Sequence, residues 1–200
     1  MPHTRLISEK ISNRADLCTY CSNGCRKAAV ICDRITVYLV YKKTEGYLDM
    51  TDYDLMCRQL ESLSEGVEWD VTVLSNASAL IWDTLKNINW AGFYLMKDGR
   101  LLLGPFQGKP ACTVIEAGKG VCGTAAAEDK TQLVKNVHEF PGHIACDSAS
   151  NSEIVIPIHA GGEVYGVLDI DSPQFSRFSE EDKDGLEAFV RILESAEAIQ

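Results

Sequence analysis

Three cysteines between Gly104 and Ser152 have the setting that chemistry needs. Cys112, Cys122 and Cys146 lie in GPFQGKPACTVI, GKGVCGTAA and GHIACDSASNSE. Each is flanked by Gly, Ala, Ser or Asp rather than by a long apolar run, the surroundings of a thiol that a reactant can reach. The carboxylates Glu153, Asp169 and Asp171 follow in the sequence. Thiols and acids on one scaffold fit sulfur redox chemistry, which requires a thiolate and a proton source. Asp169 and Asp171 alternate along LDID, so in a strand both face one side of the sheet. Like charges on one face push a carboxyl pKa upward and leave an acid able to donate. Glu153 opens the neighbouring apolar run and completes the cluster, and Asp147 directly follows Cys146.

Each of these residues also has a plainer reading. Cys122, among small residues, reads on its own as a packing cysteine, and Cys112 alternates with Val114 and points inward if that stretch is a strand. Trp90 and Tyr94 alternate along NWAGFYLM and fit the core of a hairpin. Asp169 and Asp171 are also compatible with an exposed edge strand. Cys146 is the hardest to explain structurally, because a Gly/Ser/Asp loop offers little core. His138 and His143 flank Pro141-Gly142 without the spacing of a zinc finger. They read as loop hydrogen-bonding residues, with His143 placed to tune the Cys146 thiol. Cys57, beside Leu and Met on a helical pattern, reads as core. The GxSxG and P-loop patterns are absent from the sequence.

The elements that must hold these groups follow from periodicity. TDYDLMCRQLESL repeats its apolar residues as an amphipathic helix capped by Thr51 and ended by Gly66, and a second helix starts at Asp70. Asn89–Met96 and the run RLLLGPFQ, joined by Lys97-Asp98-Gly99, form a β-hairpin. A third short strand is expected over Cys112–Ile115, a short helix around Cys122, and a strand in TQLV. Residues 136–151 form a long polar loop, a length usually kept for function. EIVIPIHA and EVYGVLDID, joined by Gly161-Gly162, make a second hairpin. A helix capped by Ser179 closes the chain. The fold class is α+β, a central antiparallel sheet flanked by helices.

Two hundred residues suffice for one domain plus a tail. We expect an N-terminal extension over residues 1–48 and a catalytic domain over 49–200. The extension holds Cys18, Cys21, Cys25 and Cys32, crowded and irregularly spaced, for which a zinc knuckle is the minority reading. RITVYLVYKK within it alternates weakly as a strand. Residues 1–45 carry a net charge of +4 and the remainder −14, within a total of −10. An acidic body disfavours nucleic acid as a partner, and acids in a pocket suit a substrate carrying an ammonium group. No apolar run approaches a membrane span and the N-terminus lacks a signal-peptide core. Eight cysteines without an export signal point to a reducing, cytoplasmic setting.

NWAGFYLM, GPFQGKPAC, GKGVCGTA, GHIACDSASNSEIVIPI and GVLDIDS together resemble the free methionine-(R)-sulfoxide reductases, which are single GAF-domain enzymes. Five motifs in order, with the cysteines ten and then twenty-four residues apart, make the resemblance specific. It implies that Cys146 is the nucleophile, Cys112 the resolving cysteine and Cys122 a third that takes part in disulfide exchange. It places Trp90, Tyr94, Glu153, Asp169 and Asp171 in the substrate pocket. It implies reduction of free L-methionine-(R)-S-oxide through a sulfenic acid and a disulfide. A thioredoxin-like dithiol protein resets the enzyme, with NADPH used only indirectly. No metal or bound cofactor is needed, and a homodimer is a reasonable expectation. The competing readings are a non-catalytic GAF ligand-binding module, a cysteine redox sensor, and a zinc-stabilised interaction module built on the N-terminal cysteines.

Overall fold

The computed structural model describes residues 51–144 and 147–200. The expected extension, its cysteines, its Arg34–Lys43 strand and Cys146 lie outside those residues. The described chain runs α1 (Tyr53–Ser64), α2 (Asp70–Thr84), β1 (Trp90–Lys97), β2 (Arg100–Gly108), β3 (Val114–Glu116), α3 (Gly120–Glu128), β4 (Gln132–Val134), a 3-10 turn (Val137–Glu139), β5 (Ser152–Ala160), β6 (Glu163–Ser172) and α4 (Glu180–Ser195). The strands form one sheet in the order β3-β2-β1-β6-β5-β4, every neighbouring pair antiparallel.

Alternation along the three central strands gives this sheet two unlike faces. Ala91, Phe93, Ile154, Ile156, Leu168 and Ile170 point to one side. There they meet Met56 and Leu60 of α1, Leu74 and Ile81 of α2, and Phe189 and Leu193 of α4 in the main core. Trp90, Tyr94, Val155 and Val167 point to the other side, where Val121, Cys122 and Ala125 of α3 cover them. The three larger helices therefore form the structural layer. The single short helix α3 covers the face that bears the acids.

Two sequence expectations shift by a residue or two. Asp52, not Thr51, caps α1: its Oδ1 accepts from the Leu55 N–H at 3.0 Å. β3 starts at Val114, which leaves Cys112 in the loop before it. Ser179 caps α4 as expected, and Asp182 reciprocates in a capping box. Cys57 is partly buried and packs against the main core.

α3 lies so close to β3 that a Cβ on Gly123 would sit on the Glu116 carbonyl oxygen. The contact is fixed by backbone bonds, with Gly118 N–H donating to the Gly123 carbonyl at 2.7 Å. Since backbone cannot yield as a side chain does, Gly123→Ala forces α3 off the sheet. We expect it to lower stability by about 1–3 kcal/mol. The check is a lower urea midpoint with an unchanged slope.

At the far end of β5, His159 ties two helices together. Its Nδ1 pairs with Glu194 of α4 and its Nε2 with Asp129, the residue that ends α3, both at 2.7 Å. Hydrogen bonds to Glu194 and then Asp129 raise its pKa. The sign follows from linkage: the charged form is favoured in the folded state. The contribution is thus complete below the ordinary pKa of 6.5 and lost as pH rises through the raised folded value. With 40% of the side chain exposed, solvent screens the pair and the effect is modest. The melting-temperature gap between wild type and His159→Gln should therefore be larger at pH 5.5 than at pH 9.

Candidate active site

Pairing across the sheet brings the acids together. Glu153 on β5 lies opposite Asp171 on β6, and Val155 opposite Asp169. On the other flank Trp90 pairs with Asp171 and Gly92 with Asp169. Trp90, Tyr94, Glu153, Asp169 and Asp171 therefore share one face, five of the residues the sequence singled out. Gly92 is required there, because a Cβ would run into Phe106 and the Trp90 ring. The indole stacks on Phe106 with ring centroids 5.3 Å apart and on Tyr94 at 5.8 Å.

The face opens on two adjoining clefts. One is lined by Glu153, Asp169 and Asp171 from the sheet, by Gly120 and Cys122 from α3, and by Lys119, His143, Ile144, Asp147 and Ser150 from the loops. The other is lined by Trp90, Tyr94, Lys109, Pro110, Ala111, Asp147, Asp169 and Asp171. Asp169 and Glu153 are each only 6% exposed, while Asp171 is half-buried.

Electrostatics separates the acids into donors and a fixed anion. Burial holds the Glu153 pKa well above its ordinary 4.5, and the neighbouring charges of Asp169 and Asp171 add to it. Burial likewise raises Asp171, with Asp169 and Asp147 adding. Asp169 is pushed up to about 6 by burial, while hydrogen bonds from Cys122 and Glu153 hold it back. The hydrogen bonds that Asp169 accepts from Cys122 and Glu153 favour its ionised form. Its Oδ1 is buried with no hydrogen-bond partner among the described residues. Asp147 behaves oppositely: the Ala149 N–H, Lys109 and Asn89 lower its pKa. Adjacency to Cys146 had marked Asp147 as a possible proton donor, but the structure makes it a structural anion.

The cysteines differ as sharply. The Cys122 thiol is 4% exposed and lies 3.9 Å from Glu153 Oε1. Burial, reinforced by the charges of Asp169 and Glu153, keeps it protonated, which makes it a poor nucleophile. Cys112 is partly exposed in the β2–β3 loop. That loop is held by the two aromatics: Trp90 Nε1 donates to the Lys109 carbonyl and Tyr94 Oη to the Cys112 carbonyl, both at 3.1 Å. The polar atoms of Trp90 and Tyr94 therefore position the Cys112 segment, and their rings form the wall. Cys146 itself lies outside the described residues, but Ile144 and Asp147 on either side of it both line the first cleft.

Sequence reasoning missed two residues. Asn89 Nδ2 donates to Asp147 Oδ2 at 3.3 Å and to Ser150 Oγ at 3.0 Å. Lys109 Nζ lies 3.1 Å from Asp147 Oδ2. Together they tie the loop around Asp147 to β1 and to the Cys112 loop. The only sequence signal was their position beside NWAG and PAC, since period-two patterning is silent on loop residues. His138 is the loop hydrogen-bonding residue expected, with Nε2 2.9 Å from Asn151 Oδ1. His143 reaches the cleft, where burial and then His138 lower its pKa.

Comparison with known proteins agrees with this architecture. A family described as GAF domain matches residues 72–196. The chain is 51% identical over 152 residues to the free methionine-R-sulfoxide reductase of Escherichia coli (strain K12), covering 76% of this chain and 88% of that protein. It is 50% identical over 142 residues to the free methionine-R-sulfoxide reductase of Saccharomyces cerevisiae, covering 66% and 78%. The solved structure of fRMsr of Staphylococcus aureus in complex with substrate superposes with a TM-score of 0.72 at 51% identity, over 76% of this chain and 100% of that one. The chain therefore belongs to the free methionine-R-sulfoxide reductases of the GAF-domain family.

Proposed function

We propose that this protein reduces the free amino acid methionine-(R)-sulfoxide to methionine. The observation that carries the reading is the buried cluster of Glu153, Asp169 and Asp171 beside the Trp90 wall, flanked by Lys109, Pro110 and Ala111 on one side and by Ile144 and Asp147 on the other. Oxide does not leave sulfur without protons, and this cluster stores protons at neutral pH. Trp90 offers an apolar face to the methyl group and the polarised sulfur. Asp169 supplies a buried anion for the ammonium group. The start of α3, where Lys119, Gly120 and Val121 line the cleft and no side chain caps the helix, suits the carboxylate.

The chemistry then balances without a bound cofactor. The Cys146 thiolate attacks the sulfoxide sulfur while a carboxyl protonates the oxygen. The hydroxyl then passes from the substrate sulfur to the Cys146 sulfur as the transient S–S bond breaks, which releases methionine and leaves a sulfenic acid on Cys146. Cys112 attacks that sulfur, water leaves, and a disulfide closes. An external dithiol protein of the thioredoxin type reduces it by exchange. The net change is sulfoxide plus two thiols to thioether, disulfide and water. Cys122, buried and protonated, takes no part in the first step.

The test is turnover of purified protein with a thioredoxin system. It should consume the free R epimer and spare both the S epimer and peptide-bound sulfoxide. Stoichiometric oxidation without multiple turnover would replace this reading with a redox sensor.

A further inference from the structure

We propose that Cys122, Glu153 and Asp169 form a binding site for a thiophilic divalent cation, zinc above all, and that an ion held there excludes the substrate. The three residues are far apart in sequence and carry no metal-binding spacing; only α3, β5 and β6 bring them together. One ligand atom from each lies within 4.8 Å of the others. Ligand atoms around a tetrahedral ion with sulfur at about 2.3 Å and oxygen at about 2.0 Å sit about 3.5 Å apart. The widest separation must therefore close by about 1.3 Å at most, which side-chain rotation supplies.

A second observation points to a cationic ligand. Asp169 is 6% exposed, and its Oδ1 has no hydrogen-bond partner among the described residues. A buried carboxylate oxygen left so is costly unless something positive meets it. The ammonium of a substrate is one such group and a metal ion is another. The donor set selects between metals. Magnesium and calcium take six or more oxygens or keep several waters, which a buried site of two carboxylates and a sulfur does not offer. One sulfur and two oxygens suit zinc, with water or half-buried Asp171 in the fourth position. Binding expels the Cys122 thiol proton and forms a metal–sulfur bond, with no change of oxidation state.

The inference goes beyond the proposed activity and rests on it only for the competition with substrate. The experiment uses cobalt(II) alone as the probe, on the full chain reduced with a phosphine. The other seven cysteines (Cys18, Cys21, Cys25, Cys32, Cys57, Cys112 and Cys146) are replaced by serine in this background, which leaves Cys122 as the one thiol and removes turnover. We expect one cobalt to bind with a near-ultraviolet thiolate-to-metal absorption band. Cys122→Ser should abolish the band, and Asp169→Asn should weaken binding at least about tenfold while keeping it. Folding of both variants is checked by circular dichroism, with Cys122→Ala as a second replacement. Absence of cobalt binding, or a band that survives in Cys122→Ser, overturns the proposal. Free methionine sulfoxide should displace the metal. Cobalt bound through Cys122 that saturating sulfoxide fails to displace upholds the metal site and overturns its exclusion of substrate, while the proposed activity is decided separately by turnover of the wild-type chain.

Discussion

Cys146→Ser is expected to leave no measurable turnover of free methionine-(R)-sulfoxide, whereas Cys112→Ser should release one methionine per enzyme and stop. The difference follows from where each sulfur enters. A serine hydroxyl at position 146 has neither the acidity nor the nucleophilicity to attack a sulfoxide sulfur, so no bond to oxygen breaks. Without Cys112 the first step is intact, and the enzyme stalls as a sulfenic acid. Single-turnover methionine release together with mass spectrometry of the protein separates the two. The Cys112→Ser variant should gain one oxygen, and the Cys146→Ser variant nothing. Cys122→Ser should retain a first turnover, because its thiol is buried and held protonated among Glu153 and Asp169. An undiminished rate in Cys146→Ser would overturn the assignment of the nucleophile.

The sheet face that bears the site was legible in the sequence because period-two alternation is a local property. LDID fixes Asp169 and Asp171 on one side, and NWAGFYLM fixes Trp90 and Tyr94 likewise. Only the pairing of β1 with β6 makes these one surface, and no local pattern states that pairing. Helix ends were legible where a side chain caps strongly, as at Ser179. They slipped at Thr51, where the adjacent Asp52 offers a competing cap. The readings that stayed open were those that depend on burial. Cys122 was readable as packing or as chemistry, and the structure shows a packed thiol on α3 that lies 3.9 Å from Glu153 of β5. Asp147 looked like an acid from its place beside Cys146. Its role as an anion comes from Lys109 and Asn89, contributed by segments far away in the chain.

The burial that fits Glu153 to store a proton also makes it a burden on the fold, so, if it is the proposed acid, Glu153→Gln should move activity and stability in opposite directions. Glutamine keeps the shape and the hydrogen-bonding capacity but has no acidic proton to give up. Loss of a positioned general acid costs about 10²–10⁴ in rate, and the loss should appear in kcat rather than in KM. The contrast is Asp169→Asn, which removes the anion facing the ammonium group and should raise KM as well. The stability sign follows from the raised pKa. Between the ordinary value of 4.5 and the higher folded value, the native state holds a proton that the unfolded chain has released. Stability therefore falls as pH rises through that window. Glutamine, which never ionises, escapes this penalty. The variant should melt above wild type at pH 8 and converge with it near pH 4, while being the poorer catalyst wherever the wild-type carboxyl is protonated. Parallel measurements of kcat and melting temperature across that range decide the matter. A variant that loses both rate and stability at pH 8 would mean that Glu153 serves as an ionised structural partner rather than as the stored acid.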